Sequence, residues 1–434
     1  MPRLLCLDGL RGVLAVYVMV SHMAPFVPMP AILASALSHG GAGVDAFFVL
    51  SGLVIVQSLR AHGHRRGPFL AARARRIFPV FLPVFAAAVA VQALDARAGG
   101  GPWGASVWSA MPWIAPDSPA RDIWSAGWPR DWALSVAAHL TMTHGLFPNV
   151  AAPGLWVGFL GAAWSLSTEW QFYALIALAA PWLTRGRWGL PGLAALLLAL
   201  AAAGLAWRLA GPAGWQFSRA FLPNKSAYFA LGVASAAAPF SRRSNELSDG
   251  ATHLTPALSP RKRGRRGGIP SGLGVFAATF LAVLLLCGMN GADKLAVPVL
   301  WLVVLAAQAA PGVAGVGGVA RLLAHPMLLW LGAVSYPLYL VNEPVQRLLG
   351  DALAAAVPGR TGAFAVLWVP GALLLPVGLA WALHVGIERP AMRRRPAPGG
   401  VAAGGPERLC ARPQWISPTP SPTLRTPMSR SRTG

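Results

Sequence analysis

This chain contains few charged residues. Asp, Glu, Lys and Arg make up 12% of its 434 residues, while hydrophobic residues make up 55%. Soluble domains carry about 25% charged residues. A large soluble all-α core would also need polar helix faces, but stretches such as LPGLAALLLALAAAGLAW at 190–207 are apolar all round. The composition therefore excludes an ordinary soluble domain and predicts an all-α, polytopic membrane protein.

Acidic residues and cysteines are also rare. The chain has 14 Asp and Glu against 36 Lys and Arg, which gives a net charge of +22. Its three cysteines, Cys6, Cys287 and Cys410, have neither the pattern of a disulfide framework nor metal-ligand spacing, so we expect no metal site. The basic excess indicates membrane topology and contact with anionic lipid of the phospholipid bilayer, not nucleic-acid binding.

Long apolar runs predict ten transmembrane helices. A weaker stretch at 131–149 is amphipathic and contains two histidines, so we interpret it as an interfacial or re-entrant helix. The predicted spans lie at roughly 9–29, 41–59, 77–95, 159–183, 188–209, 219–238, 272–290, 294–311, 327–349 and 364–388.

Basic residues indicate how these spans are oriented. Most Lys and Arg residues lie in the even-numbered loops and the two tails, and cytoplasmic segments normally carry this excess. Both termini are therefore predicted to be cytoplasmic. Residues 1–395 form the predicted transmembrane domain. The basic insert 241–271 and the tail 396–434 have the composition of disordered segments.

The first predicted span contains two polar residues at an informative spacing. Arg11 and His22 are eleven residues apart. In an α-helix this spacing places them on one face, about 16 Å apart along the axis. With the N-terminus inside, the guanidinium lies at the inner interface and the imidazole near mid-depth. Both side chains are costly in lipid, which indicates a function for each.

Asp45 lies near the outer end of the second predicted span, in GVDAFFVLSGLVI. A carboxylate there would orient the imidazole of His22 and stabilise its developing positive charge. The alternative is a carboxylate that accepts hydrogen bonds from backbone N–H groups at the start of a helix. Ser51 and Gly52 in the same span are typical of close helix packing.

Charged residues border the inner ends of the third and last predicted spans. Arg73 and Arg76 are three residues apart and share a helix face, so their guanidinium groups would clamp a phosphorylated ligand. The positive-inside rule alone also places arginines here, and that alternative stays open. At the end of the last span, Glu388 and Arg389 predict a local ion pair.

The fourth and ninth predicted spans each carry a polar group. In WSLSTEWQFY, a serine and a glutamate four residues apart share a helix face near the outer interface. The aromatic rings beside them suit a sugar, although an interfacial aromatic belt also explains the rings. In SYPLYLVNEP, polar side chains at helical spacing predict a cavity, around which Pro337 and Pro344 would bend the helix. The two groups are Trp164, Ser165, Glu169 and Tyr173, and Tyr336, Tyr339, Asn342 and Glu343.

Together, these motifs resemble the acyltransferase 3 family of integral membrane acyltransferases. The resemblance rests on LDGLRG with His22 downstream, GVDAFFVLSGLVI, RARR at 73–76, WSLSTEWQFY, and SYPLYL followed by GIERP, in this order along residues 4–395. It implies a multi-pass enzyme of the bacterial inner membrane. Such an enzyme takes an acyl group, most often acetyl, from cytoplasmic acyl-CoA and modifies cell-surface or exported glycans. This chain departs from the family pattern at Asn342, where a histidine is common.

The residues and the resemblance together predict a mechanism. Arg11, Arg73 and Arg76 would hold the phosphates of coenzyme A at the cytoplasmic side. His22 would act as general base on a hydroxyl of a free or lipid-linked carbohydrate, with Asp45 orienting its imidazole. A covalent acyl-histidine is the alternative route. The remaining predicted site residues are Glu169, a third catalytic residue that aligns the acceptor, and the acceptor-binding residues Trp164, Ser165, Tyr173, Tyr336, Tyr339, Asn342 and Glu343.

Functions from two other classes compete with acyl transfer. A proton-coupled transporter of small molecules or acyl groups also uses intramembrane His, Asp and Glu, but it predicts inverted repeats that the sequence does not show. A lipid-binding or assembly protein without chemistry leaves the spacing of Arg11 and His22 unexplained. Acyl transfer is therefore the favoured hypothesis.

Overall fold

The chain is α-helical in the part that the computed structural model describes. That part contains no β-strand and belongs to one compact unit, Pro2–Arg394. Residues 241–270 of the predicted insert, the predicted tail and both chain ends lie outside the described residues. The described residues are 5–97, 127–183, 189–238, 271–310, 315–357 and 361–393, together with Ile114 and Val313.

A helix lies at each of the ten predicted spans. These helices are α1 (Leu5–Met23), α3 (Gly40–Ala61), α4 (Arg66–Arg97), α6 (Trp164–Leu183), α7 (Gly189–Ala210), α8 (Ser226–Ala237), α9 (Ser271–Asn290), α10 (Ala296–Ala309), α12 (Pro326–Ala356) and α13 (Thr361–Leu383). Shorter helices are α2 (Ala31–Leu37), α5 (Trp132–Leu140), α11 (Val316–Leu323) and α14 (Arg389–Arg393). Short 3₁₀ turns precede α6 (Gly161–Ala163) and α8 (Leu222–Asn224), and a π-helical turn, His384–Glu388, joins α13 to α14.

Not all ten helices have the length and composition of a membrane span. Among the described residues, seven helical segments do, and an eighth is added if the bent pair α11 and α12 forms one span. α6 begins with the polar sequence WSLSTEWQ, and α8 has only 12 residues. A helix of that length covers about 18 Å, well short of a hydrocarbon core of about 30 Å. The all-α, polytopic fold is confirmed, whereas the number ten and the cytoplasmic termini stay predictions.

Two helix pairs at the centre of the fold pack closely because glycines lie where their backbones meet. α1 runs along α12, and a Cβ at Gly12 or Gly332 would overlap the backbone of the other helix. α3 runs along α8, where a Cβ at Gly232 would overlap the carbonyl oxygen of Val49 and one at Gly52 would overlap the α8 backbone. Small residues commonly permit such close approach within membranes. Gly52 therefore has its predicted packing role.

The sharp bend near the ninth predicted span lies before that span begins. α11 and α12 meet at an angle of 60°. His325 caps α12 there, since its Nδ1 accepts a hydrogen bond from the Met327 N–H at 3.3 Å. Pro337 and Pro344 lie inside one continuous helix. The polar residues of α12 consequently keep regular helical spacing.

The amphipathic stretch 131–149 forms the nine-residue helix α5 followed by turns, and it is not among the candidate spans. Its two histidines, His139 and His144, are fully buried, and their rings stack with 4.0 Å between centroids. His144 Nε2 lies 3.0 Å from the carbonyl oxygen of Ala163, and Ser167 donates its hydroxyl to the Met142 carbonyl at 2.8 Å. These contacts attach the segment to the start of α6.

Candidate active site

His22 lies near the end of α1, half-buried, with its imidazole against α12. Its Nδ1 is 2.7 Å from the amide oxygen of Asn342. The amide nitrogen of Asn342 donates to the carbonyl oxygens of Leu338, at 3.2 Å, and Tyr339, at 2.6 Å. Because the amide nitrogen is held by two acceptors, the amide oxygen faces the ring and Nδ1 must carry the proton. In the neutral ring, the other nitrogen, Nε2, then carries the lone pair.

Asp45 does not have the predicted partner. Its Oδ1 lies 2.6 Å from Lys225 Nζ, and the carboxylate is almost fully buried. The ammonium also lies 5.6 Å from the ring centroid of Trp164. Asp45 is thus paired with the residue that immediately precedes α8, whereas the imidazole of His22 contacts Asn342 on α12. The predicted pairing of Asp45 with His22 is therefore wrong, and Asn342 takes that place.

The three predicted phosphate-binding arginines come together at one end of the helices. Arg73 donates to the Ser58 hydroxyl at 2.9 Å and its guanidinium lies 5.9 Å from the ring centroid of Tyr173. Arg76 Nη1 lies 3.9 Å from a carboxylate oxygen of Glu388. Arg11 is within electrostatic range of Arg76 and of Glu388. Asp8, Glu169 and Glu388 are all within electrostatic range of Arg11, so the arginines lie among carboxylates.

Glu388 contacts His384 and the distant Arg76 instead of forming the predicted pair with Arg389. Its Oε2 lies 2.6 Å from His384 Nδ1, and the side chain is 2% exposed. Its other oxygen faces Arg76 on α4. The π-helical turn that ends at Glu388 packs against α4, which directs the carboxylate inward. The predicted local ion pair is therefore wrong.

Glu169 lies with the arginines. It accepts a hydrogen bond from the Ser51 hydroxyl at 2.7 Å and one from Tyr173. Arg11 is within electrostatic range of this carboxylate as well. Ser51 is thus a hydrogen-bond donor to a predicted catalytic residue, and not only the packing residue that the sequence indicated. Ser165 lies one helical turn away on α6 but has different hydrogen-bond partners from those of Glu169.

Ser165 contacts α12 at the opposite end of this site. Its hydroxyl donates to the Tyr339 hydroxyl at 2.8 Å, and that hydroxyl donates to the Ala162 carbonyl at 3.0 Å. The carboxylate of Glu343 accepts from the backbone N–H groups of Gly161, at 3.2 Å, and Ala162, at 2.9 Å. These bonds fix the start of α6 against α12.

Two other predicted acceptor-binding side chains are also engaged within the protein. The Tyr336 hydroxyl donates to the Ile77 carbonyl oxygen on α4 at 2.6 Å. Trp164 is 8% exposed and packs against Phe48, with 5.9 Å between ring centroids. Both side chains therefore help to hold the helices around the site.

Two groups of polar residues result, and the same two helices carry members of both. α1 carries Arg11 and His22, and α6 carries Glu169 and Ser165. Among the described residues, no three metal-ligating side chains come together. We call one group the arginine cluster, Arg11, Arg73, Arg76, Glu169, Tyr173 and Glu388, and the other the histidine cluster, His22, Ser165, Tyr339, Asn342 and Glu343.

Comparison with known families decides the class of protein. A family model described as an acyltransferase domain matches residues 4–385. The chain belongs to the acyltransferase 3 family. Comparisons with curated proteins and with solved structures give no match. Family membership confirms the resemblance and, with the apolar helices, identifies a multi-pass membrane acyltransferase.

The structure of this acyltransferase adds site residues that the sequence did not predict. Lys225 had one signal, because it lies inside the predicted span 219–238, where a charged side chain is costly unless it is paired. Ser51 and Ser58 had none, since a serine in an apolar helix indicates packing as readily as hydrogen bonding. His384 had a signal in its spacing, since it precedes Glu388 by four residues and such pairs share a helix face.

Proposed function

We propose that this acyltransferase moves an acyl group, expected to be acetyl, from cytoplasmic acyl-CoA to a hydroxyl of a cell-surface or exported carbohydrate at the bacterial inner membrane. The observation that carries the proposal is the 2.7 Å contact between His22 Nδ1 and the amide oxygen of Asn342. In the neutral imidazole, donation by Nδ1 in this contact places on Nε2 the lone pair that a general base requires.

The arginine cluster supports binding of the donor. Coenzyme A carries several phosphate groups, and guanidinium forks match phosphate geometry. The Nε of Arg73 is buried and has no hydrogen-bond partner among the described residues. The Arg76 side chain is 30% exposed. Both arginines therefore have N–H donors for a phosphorylated ligand, and the cluster lies at the end of the bundle that is predicted to be cytoplasmic.

The histidine cluster supports the chemical step. As the acceptor oxygen attacks the thioester carbonyl carbon, Nε2 of His22 takes the hydroxyl proton. The carbon–sulfur bond then breaks, and the imidazolium returns this proton to the leaving sulfur. The products are the acylated carbohydrate and the free thiol of coenzyme A, with the imidazole restored. In the acyl-histidine route the same nitrogen attacks the thioester first, so both routes depend on Nε2.

The geometry of the other residues defines supporting roles. Asn342 acts as a positioning residue because it contacts the imidazole and sets its tautomer. The Ser165 and Tyr339 hydroxyls lie next to this pair along α6 and α12 and border the expected acceptor position. Family membership also favours acyl transfer over the transporter hypothesis.

The decisive experiment measures acyl groups on the surface and secreted glycans of cells that express variants of the full chain. In His22→Ala we expect these groups to be lost, because no other base replaces Nε2. His39→Ala is the matched control, since His39 is exposed and its Nδ1 lies 2.6 Å from the carbonyl oxygen of Ser35 in α2. Glycan mass spectrometry should show wild-type acylation in this control. Wild-type acylation in His22→Ala would contradict the proposal.

Donor binding has a separate test. The double variant Arg73→Ala, Arg76→Ala should bind acetyl-CoA at least about tenfold more weakly, because it loses two charge-assisted contacts to phosphate. Arg75→Ala removes an exposed arginine between them and should bind acetyl-CoA like the wild type. Calorimetry on the purified proteins gives both affinities. Equal affinity of the double variant and wild type would leave these arginines as topology signals only.

A further inference from the structure

Arg219 is held between two tryptophan rings in the segment that joins α7 to α8. Its guanidinium carbon lies 5.5 Å from the ring centroid of Trp156 and 5.9 Å from that of Trp164. The arginine is nevertheless exposed, and Trp156 is half-buried. Stacking on two rings restricts the plane of the guanidinium and leaves its N–H groups at the edge free to donate.

The backbone around Arg219 is held firmly by α6. The carbonyl oxygen of Ala220 accepts from the Thr168 hydroxyl and from the Gln171 amide, each at 2.9 Å. Gln171 in turn accepts from the N–H of Leu222 at 3.0 Å. The cation is therefore positioned before any ligand arrives, which lowers the entropic cost of binding.

Two carboxylates in this region of the protein already have other partners. Asp45 pairs with Lys225, and Glu343 accepts from backbone N–H groups at the start of α6. Within the described ranges, Arg219 makes neither a hydrogen bond nor an ion pair, and its guanidinium lies against the two indole rings. A guanidinium that is oriented but unpaired is suited to an anion from outside the protein.

Arg219 also lies beside the histidine cluster. It is within electrostatic range of Tyr339, whose hydroxyl bonds to Ser165. Trp164, which stacks on the arginine, immediately precedes that serine. The backbone carbonyl of the same tyrosine accepts a hydrogen bond from the side-chain amide of Asn342. This bond helps to orient the Asn342 amide oxygen towards His22. The free cation is therefore connected to the end of the site at which the acceptor hydroxyl is expected.

We propose that Arg219, with the face of Trp156, forms an acceptor subsite that binds an anionic group carried by the carbohydrate. The group is a phosphate on the sugar, as in a lipid-linked glycan, or the carboxylate of an acidic sugar. The guanidinium fork binds the anion, and the exposed indole surface offers a face for the ring of the sugar. This inference rests on the proposed carbohydrate acceptor.

Binding of three small probes tests the subsite without acyl-CoA. Glucose 1-phosphate, glucuronate and methyl glucoside share a hexose ring, but only the first two carry an anion. The full-length protein in phosphatidylcholine nanodiscs should bind at least one anionic probe about tenfold more tightly than methyl glucoside, as measured by ligand-detected NMR titration. The anionic probe that binds better identifies the source of the anion.

Variants assign the preference to Arg219. Arg219→Gln should bind the anionic and neutral probes equally, and Arg219→Lys should keep part of the difference because it retains the charge but loses the fork. The matched control is Arg208→Gln, which removes an exposed arginine at the end of α7 whose contact is with Asn290. It should keep the full preference for the anion.

Three results would overturn the subsite. The first is equal binding of all probes by the wild type, and the second is an undiminished preference for the anion in Arg219→Gln. The third is loss of probe binding when phosphatidylglycerol replaces part of the lipid, because this result would assign the arginine to a lipid headgroup. Failure of the acyl-transfer proposal is distinguishable, because it is read from glycan acylation in His22→Ala. An Arg219-dependent preference for the anion in a protein that does not acylate glycans would support the anion site and contradict the acyl-transfer proposal.

Discussion

The buried histidine pair should make the stability of the protein fall at low pH. Burial, with a smaller contribution from neighbouring His144, lowers the pKa of His139 to about 3. Burial also lowers the pKa of His144 to about 4, although its hydrogen bonds to the Ala163 and Ala138 carbonyls oppose the shift. Both rings are outside the candidate membrane spans. At about pH 5 they are neutral in the folded protein, whereas a histidine in the unfolded chain, with a pKa of about 6.5, is protonated.

The sign and size of the effect follow from proton uptake. Because the unfolded state binds more protons below about pH 6.5, the free energy of unfolding falls as the pH falls from there towards about 4. For each histidine, protonation of the unfolded chain lowers the free energy of unfolding by about 2 kcal/mol between about pH 8 and about pH 5. The two buried rings together should therefore remove about 4 kcal/mol of stability.

Unfolding by sodium dodecyl sulfate in mixed micelles, measured at about pH 8 and about pH 5, gives the required free energies. His139→Gln removes one titrating ring, so its loss on acidification should be about 2 kcal/mol smaller than that of the wild type. His39→Gln removes an exposed histidine and should keep the pH dependence of the wild type. An equal pH dependence of the wild type and His139→Gln would refute the reasoning.

Two further predictions concern the packing of α3 against α8. Gly232→Leu should prevent folding, because even a Cβ at this position overlaps the α3 backbone. Gly288→Leu is the control, since a Cβ there meets open space, and it should fold. Expression and size-exclusion chromatography assess both variants, and a folded Gly232→Leu protein would contradict the close approach. Lys225→Met should lower stability by about 3–5 kcal/mol because it leaves the Asp45 carboxylate buried without its cation. The double variant Lys225→Met, Asp45→Asn should recover most of the loss in the same unfolding assay, and no recovery would argue against the ion pair as the cause.

The apolar pattern predicted much of the fold because hydrophobic length depends directly on the sequence. Each predicted span contains a helix, and the spacing of Arg11 and His22 is retained because α1 is continuous. The extent of α8 was not predictable in this way. The apolar run begins near 219, but the 3₁₀ turn around Pro223 delays the start of the helix to Ser226. Hydropathy does not indicate the residue at which a helix begins.

The polar contacts of the candidate site were less predictable because periodicity gives the face of a helix but not its neighbour. The arginines meet as their shared face suggested, whereas Asp45 faces α8 and pairs with Lys225. Glu169 was expected near the outer interface with Ser165, but one turn of α6 brings it to the arginine cluster. Such pairings depend on the arrangement of distant helices, which local spacing does not encode.

The hydrogen-bond partner of the His22 imidazole is an amide, which has no ionisable group. Asn342 neither gains nor loses a proton near neutral pH, and its nitrogen is held by two backbone carbonyls. The direction of the hydrogen bond to the imidazole is therefore the same at every pH at which the ring is neutral. With histidine at this position, two coupled ionisations would shape the pH–rate profile. Here the partner of the imidazole has no ionisable group, so this coupling is absent.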